Sequence, residues 1–330
     1  MPTNISASAP QVTAPITGEQ ILRVGPVNPT VAQSLSEDFS SLALPETEPE
    51  REAFLAAHSE QIRVAVCSGR FGVDTDLLSR LPALEAIINF GVGYDATDTK
   101  TAIARGIKIS NTPEVLNDCV ADTALGLYLI TLRSLGTAER FVRNGSWVPG
   151  KNFPLATRAS GKKVGILGLG RIGQAIATRL EAFGCEIHYH NRNQKPDSNY
   201  TYHHSAVDLA AKTEVLIVAA AGGAQSAKLV DAQVLSAVGP QGFVINIARG
   251  TVIDESALID ALSTGKIAGA GLDVFENEPH VPAELLELEN VVLLPHLGSG
   301  TNETRADMAA LTLDNLRSYL ADRSLLTPIS

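Results

Sequence analysis

Short apolar runs alternate with amphipathic stretches along almost the whole chain, and the alternation begins near residue 21. Apolar runs over 21–25, 62–67, 84–90 and 107–110 read as buried strands. Between them a Pro/Glu stretch over 45–52 leads into a helix, a helix over 77–81 stops near Pro82, and a short helix covers 102–105. After Pro113 a long apolar helix is expected over 115–135, too mixed in composition to span a membrane. A loop over 144–154 follows and carries the only tryptophan, Trp147. From Lys162 the alternation resumes, with strands over 164–167, 186–190, 215–219, 243–247, 270–274 and 291–294 and a helix over 254–262. A last helix, over 301–320, is expected to pack back onto the first half of the chain. Strands alternating with helices, twice over, place the chain in the α/β class with parallel sheets covered on both faces.

The stretch GILGLGRIG is the strongest local signal. A strand leads into Gly168, Gly170 and Gly173, and a helix follows with Ile172, Ile176, Leu180 and Phe183, closed by Gly184. In this G-x-G-x-x-G pattern the first glycine permits a tight turn and the second admits a pyrophosphate to the backbone. The third lets the helix pack on the strand. The free N–H groups of the helix N-terminus then face the phosphates. The next strand, over 186–190, ends in Asn191, Arg192 and Asn193. A site for NAD places an acid there, about twenty residues on, to hold the ribose 2′-hydroxyl. No carboxylate stands here to repel a 2′-phosphate, and a guanidinium can grip one through paired N–H bonds. The reading is NADP(H), with NAD(H) the less favoured cofactor.

Composition narrows the partners. With 330 residues the chain is long enough for two domains, and 45% hydrophobic with 19% charged residues is ordinary for a soluble α/β protein. The formal net charge is −10 and no lysine- or arginine-rich run occurs, which argues against nucleic acid or an anionic membrane as the main partner. An anionic substrate must therefore be held by local positive groups. Cys67, Cys119 and Cys185 are scattered and show neither metal-ligand spacing nor a disulfide framework, so a reducing cytoplasm is the expected setting and no metal site is expected. The first residues lack the basic and apolar regions of a secretory signal, and residues 1–18 are expected to be a loose polar tail.

Three later stretches place polar groups just past strand ends, where open parallel sheets bind ligands. FVINIARG delivers Arg249, GAGLDVFENEP delivers Asp273 and Glu278, and VVLLPHLGSGTNETR delivers His296. The set fits carbonyl reduction. Hydride delivery to a ketone leaves an alkoxide that needs a proton, and histidine suits that task at neutral pH. A carboxylate on the far ring nitrogen fixes the ring, and an arginine polarises the carbonyl and holds a neighbouring carboxylate.

Taken in order, NFGVGYD, NTPEVLNDCVADTALGL, GILGLGRIG, NIARG, GLDVFENEP and PHLGSGTNETR resemble the D-isomer-specific 2-hydroxyacid dehydrogenases, and among them the NADPH-preferring glyoxylate/hydroxypyruvate reductases. The resemblance covers nearly the whole chain after the tail. It implies two Rossmann-like or flavodoxin-like parallel-sheet domains with the active site in the cleft between them. Residues 19–113 and 301–330 would form the substrate-binding domain, and 114–300 the dinucleotide-binding domain. It further implies a homodimer, with the long helix and adjacent loop reaching the partner.

Carried over by motif, Arg249 would bind and polarise the substrate, Glu278 would orient His296, and His296 would be the acid/base. The amides of Val92 and Gly93 would hold the substrate carboxylate. Leu169, Arg171 and Ile172 would line the pyrophosphate, and Ala248 and Asp273 would also meet the cofactor. Ser299 would touch substrate or support His296, and Trp147 resembles a tryptophan that some reductases of the family lend to the neighbouring subunit's site. Two departures stand out. AAAGGAQSAKLV replaces a segment that often contains proline, and Gly300 replaces an alanine, which would loosen the turn after His296. The implied activity is NADPH-dependent reduction of a small 2-oxo acid to the D-2-hydroxy acid. D-lactate or phenylpyruvate-type dehydrogenases and dinucleotide-sensing binding proteins share the fold and remain alternatives.

Overall fold

A computed structural model describes residues 16–329. Residues 1–15 of the expected polar tail lie outside the described residues; Gly18, its last residue, opens a 3-10 turn over Gly18–Gln20.

The chain divides into two compact units, residues up to 112 with 306 onward, and 113–305. The first unit runs β1 (Ile21–Arg23), α1 (Pro29–Glu37), β2 (Leu42–Ala43), α2 (Glu48–His58), β3 (Val64–Ser68), α3 (Thr75–Ser79), β4 (Ala86–Phe90), α4 (Thr99–Ala104) and β5 (Lys108–Ser110). Its five strands are parallel in the order β2-β1-β3-β4-β5, the flavodoxin-like arrangement. Leu22, Ala65, Cys67, Ile87 and Ile109 on the strands pack with Leu55, Leu77 and Leu78 on the helices. Helix α1 escaped the sequence pattern because only Val31 and Leu35 on it are buried. Its start is set instead by Asn28, whose side chain accepts the Thr30 amide at 2.9 Å, followed by Pro29 at the first helical position.

The second unit runs α5 (Asn117–Leu132), α6 (Leu135–Arg143), β6 (Lys163–Leu167), α7 (Arg171–Glu181), β7 (Glu186–His190), β8 (Thr201–Tyr202), α8 (Ala206–Lys212), β9 (Val215–Val218), α9 (Ala232–Val238), β10 (Phe243–Asn246), α10 (Glu255–Ser263), β11 (Gly269–Leu272), α11 (Ala283–Glu287) and β12 (Val291–Leu293). Its seven parallel strands lie in the order β12-β11-β10-β9-β6-β7-β8. Helix α12 (Asn302–Asp322) starts in this unit and continues in the first. The strand order reverses between β6 and β9, so their C-terminal ends form the topological switch point of a doubly wound sheet.

The long helix expected over 115–135 is two helices. Helix α5 stops at Leu132, Ser134 takes a left-handed φ of 51°, and α6 starts at Leu135. Apolar residues continue through the break, so periodicity gave no sign of it. Helices α8 and α9 and strand β8 were also not expected. They are short, and the two helices are started by side-chain caps: Ser205 Oγ accepts the Asp208 amide and Asp231 accepts the Gln233 and Val234 amides. Among the described residues no helix is long and apolar enough to cross a membrane.

Candidate active site

The glycine loop joins β6 to α7. Gly168 has a φ of 101°, and a Cβ there would lie 2.5 Å from the Ala220 amide at the end of β9. Gly173 sits where a Cβ would meet the Gly168 carbonyl at 2.3 Å, so helix and strand pack at backbone distance. Gly170 caps α7 and has open space where a side chain would be. The first turn of α7, from Arg171 and Ile172, has amides without intrahelical partners and no acidic side chain. This open, amide-lined cradle fits a dinucleotide pyrophosphate.

The side chain of Asn191 Oδ1 accepts the Leu169 amide at 2.7 Å, tying the end of β7 to the glycine loop. Leu169 is itself buried. Arg192 and Asn193 are exposed in the loop beyond, and the Arg192 guanidinium donates to Gln225 Oε1. Arg171 is exposed and pairs with Glu114 at 3.4 Å.

Two of the polar groups past the later strands meet directly. His296 Nδ1 and Glu278 Oε2 are 2.7 Å apart, with the Glu278 side chain 18% and the His296 side chain 45% exposed. Glu278 Oε1 accepts the Phe275 amide at 3.1 Å, which fixes the carboxylate from both ends. An ionised carboxylate only accepts, so Nδ1 carries the hydrogen and Nε2 is the position left for acid/base exchange. His296 has a left-handed φ of 54° and is pinned there by its amide, which donates to the Asp273 carbonyl at 2.8 Å. Backbone strain of this kind costs of order 1–3 kcal/mol and persists where the surroundings enforce it.

Asp273 supplies that enforcement. It is 1% exposed, and its two oxygens accept the amides of Leu297 at 2.7 Å and Gly298 at 2.8 Å. Burial pushes its carboxyl above the usual range, and those two amides oppose the rise. In the same turn the Gly300 amide donates to the Leu297 carbonyl at 2.7 Å, and a Cβ at Gly300 would sit 2.8 Å from that oxygen. Ser299 lies half-buried in the same turn.

Arg249 follows β10. Its Nη1 donates to the Ala248 carbonyl at 2.7 Å, and Ala248 is buried. The turn is held by Asn246, which sequence reasoning passed over. Asn246 is 1% exposed, its Oδ1 accepts the Ala248 amide at 3.0 Å, and its Nδ2 donates to the Arg249 carbonyl at 3.0 Å. A polar residue closing the apolar run Phe243–Asn246 was the available signal. Next to it, a Cβ on Gly250 would lie 1.9 Å from the Phe275 carbonyl carbon, so the arginine turn and the segment leading to Glu278 are locked in backbone contact.

In the first unit, the turn after β4 contains Val92 and Gly93. Asn89 Nδ2 donates to the carbonyls of Gly91 and Gly93, both at 3.0 Å, and Asn111 Nδ2 donates to the Val92 carbonyl at 3.0 Å. Thr112 Oγ1 accepts the Gly91 amide at 3.1 Å. Three carbonyls are thus turned to these side chains, while among the described residues no acceptor is found for the Val92 and Gly93 amides. Two such amides suit an anion. Trp147 lies in the second unit on the loop past α6, 68% exposed, beside Phe141, Val142 and Phe153. None of the hydrogen bonds above joins it to the Arg249, Glu278 and His296 group.

The sequence pattern described as the D-isomer specific 2-hydroxyacid dehydrogenase, NAD binding domain, matches residues 125–298. The chain is 48% identical over 309 residues to a glyoxylate/hydroxypyruvate reductase of Arabidopsis thaliana, covering 94% of this chain and 98% of that protein. It is 45% identical, with the same coverages, to a hydroxyphenylpyruvate reductase of Plectranthus scutellarioides. A crystal structure of an NADPH-dependent glyoxylate/hydroxypyruvate reductase from Sinorhizobium meliloti, in complex with NADP and malonate, superposes with a TM-score of 0.87 at 46% identity. It covers 94% of this chain and 96% of that one. The chain belongs to the D-isomer-specific 2-hydroxyacid dehydrogenase family.

Proposed function

We propose that the protein reduces a small 2-oxo acid to the D-2-hydroxy acid with NADPH, with glyoxylate, hydroxypyruvate and aryl pyruvates as the candidate substrates. The observation that carries this reading is the Glu278–His296 pair at 2.7 Å, set in the same unit as the glycine loop and the Arg249 turn. Bound NADPH supplies the hydride. His296 gives its Nε2 proton to the oxygen that becomes the hydroxyl, and Glu278 stabilises the ring in the orientation and charge that this needs. Arg249 polarises the carbonyl and holds the substrate carboxylate. The first unit would serve as the substrate domain and the second as the dinucleotide domain.

The names of the relatives support this substrate class. One is called a glyoxylate/hydroxypyruvate reductase and another a hydroxyphenylpyruvate reductase, so both small and aromatic 2-oxo acids are represented. A homodimer completes the proposal. Leu135, Val142, Trp147, Val148 and Leu155 are exposed apolar residues on and beyond α6, a stripe suited to a second copy. Three free thiols, two of them buried, suit a reducing cytoplasm.

Steady-state oxidation of NADPH and NADH, with glyoxylate, hydroxypyruvate and phenylpyruvate as acceptors, tests the reading. Turnover that prefers NADPH supports it, and the best acceptor names the substrate. A preference for NADH overturns the cofactor assignment alone. Absence of turnover with all three moves the protein toward the dinucleotide-sensing alternative.

A further inference from the structure

We propose that Gln225 is a positioning residue for cofactor selection, holding the Arg192 guanidinium at the 2′-phosphate end of the dinucleotide site. The inference rests on the NADPH reading above and adds a residue to it.

Strands β7 and β9 lie on either side of β6. Arg192 sits just past β7 and Gln225 on the loop past β9. The bond from the Arg192 guanidinium to Gln225 Oε1 therefore links the two loops that flank the glycine turn at the end of β6. The loop that presents Gln225 is itself fixed. Buried Ser226 donates from Oγ to the Ala221 carbonyl at 2.6 Å and the Gly223 carbonyl at 3.1 Å, and its amide donates to Gly223 at 3.1 Å. Gln225 comes from AAAGGAQSAKLV, the segment that stands where the resembled family often has a proline.

The chemistry of the partner matters. Arg179 on α7 is held by two carboxylates, Asp122 at 2.7 Å and Asp118 at 3.0 Å, and Arg80 by Glu52. Such pairs cancel the charge locally. Arg192 has no ion pair among the described residues, and its partner is a neutral amide. An amide carbonyl orients a guanidinium without neutralising it, and the planar fork keeps its remaining N–H donors for an anion. The amide nitrogen of Gln225 carries two further N–H donors. Orientation plus uncompensated charge is what discrimination for a phosphate over a hydroxyl requires.

The test uses Gln225→Glu, Gln225→Ala and Arg192→Ala in the full-length protein. KM and kcat are measured for NADPH and NADH, and 2′,5′-ADP binding by calorimetry. Gln225→Glu turns the partner into a carboxylate that cancels the Arg192 charge and repels the phosphate. It is expected to raise the KM for NADPH and the Kd for 2′,5′-ADP about tenfold, leaving kcat and the KM for NADH within about twofold. Gln225→Ala is expected to do the same more weakly, about threefold. If Arg192→Ala lowers NADPH selectivity but Gln225→Glu does not, the Gln225 role is overturned and the NADPH reading stands. Equal losses for both cofactors in Gln225→Glu also overturn it. If Arg192→Ala leaves selectivity unchanged, the Arg192 assignment falls and takes this inference with it, while the wild-type preference between NADPH and NADH decides the NADPH reading separately.

Discussion

Glu278 and His296 are joined at 2.7 Å, and the same carboxylate accepts the Phe275 amide through its other oxygen. The carboxylate is therefore not merely near the ring. Its orientation is set by the backbone that carries it, and it sets the ring tautomer in turn. His296→Gln is expected to lower kcat for 2-oxo acid reduction by about 10²–10⁴-fold, the range of a lost general acid. Glu278→Gln, which keeps shape but loses the charge, is expected to lower kcat by about 10²-fold with little change in KM for NADPH. Near wild-type turnover in either variant, by stopped-flow or steady-state assay, removes the pair from the mechanism.

Arg249 is expected to act on substrate rather than cofactor. Arg249→Ala should raise the KM for the 2-oxo acid and lower kcat together, because the group both binds the carboxylate and polarises the carbonyl. Arg249→Lys should restore only part of this, since an ammonium lacks the paired planar donors. An NADPH Kd that rises as much as the substrate KM is the opposing result.

Asp273 organises the histidine turn through the amides of Leu297 and Gly298. Asp273→Asn turns one acceptor into a donor that faces an amide hydrogen. The buried mismatch should destabilise the protein by about 1–3 kcal/mol and let His296 leave its left-handed backbone conformation. The expected readout is a lower urea midpoint together with a fall in kcat. A fall in neither shows that the turn holds itself.

Gly250→Ala places a Cβ 1.9 Å from the Phe275 carbonyl carbon, which only backbone movement can relieve. The movement would displace the segment that carries Glu278. Thermal unfolding should shift down and kcat should fall even though no catalytic atom is changed. A variant of unchanged kcat and unchanged Tm contradicts the backbone lock.

His188 lies buried beside His203 at 2.9 Å and Glu186 at 3.0 Å. Burial pushes its pKa down; Glu186 opposes this, and His203 and Lys163 add to it. His203 in turn meets Asp208 at 3.0 Å. With the folded pKa below the unfolded one, the folded protein resists protonation. The stability from neutral His188 is complete above the unfolded pKa, about 6.5, and is lost as pH falls toward the folded value. Urea unfolding from about pH 8 down to about pH 5.5 should show this loss, and His188→Asn should flatten the slope over that range. An equal slope in the variant assigns the loss to other groups.

The core strands and the glycine turn are legible in the sequence alone. Each core strand is a dense apolar run, and a buried parallel strand admits little else, so 62–67, 84–90, 164–167 and 243–247 were visible without coordinates. The candidate groups beyond strand ends are legible for the same reason: Arg249 and His296 follow such runs closely, and Glu278 stands in the polar stretch after one. What escaped was decided by contacts distant in sequence or by single backbone angles. The break at Ser134 is one left-handed residue inside continuous apolar sequence, and no periodicity records it. Asn246, Asp273 and Asn89 all lie inside motifs legible in the sequence, but the hydrogen bonds they make exist only because folding brings backbone amides and carbonyls within their reach. The meeting of Arg192 with Gln225, 33 positions apart, likewise depends on the strand order β9-β6-β7, which sequence spacing does not encode. Local propensity selects elements one at a time, whereas the site is defined by which strand ends become neighbours, and that is settled only when the sheet closes.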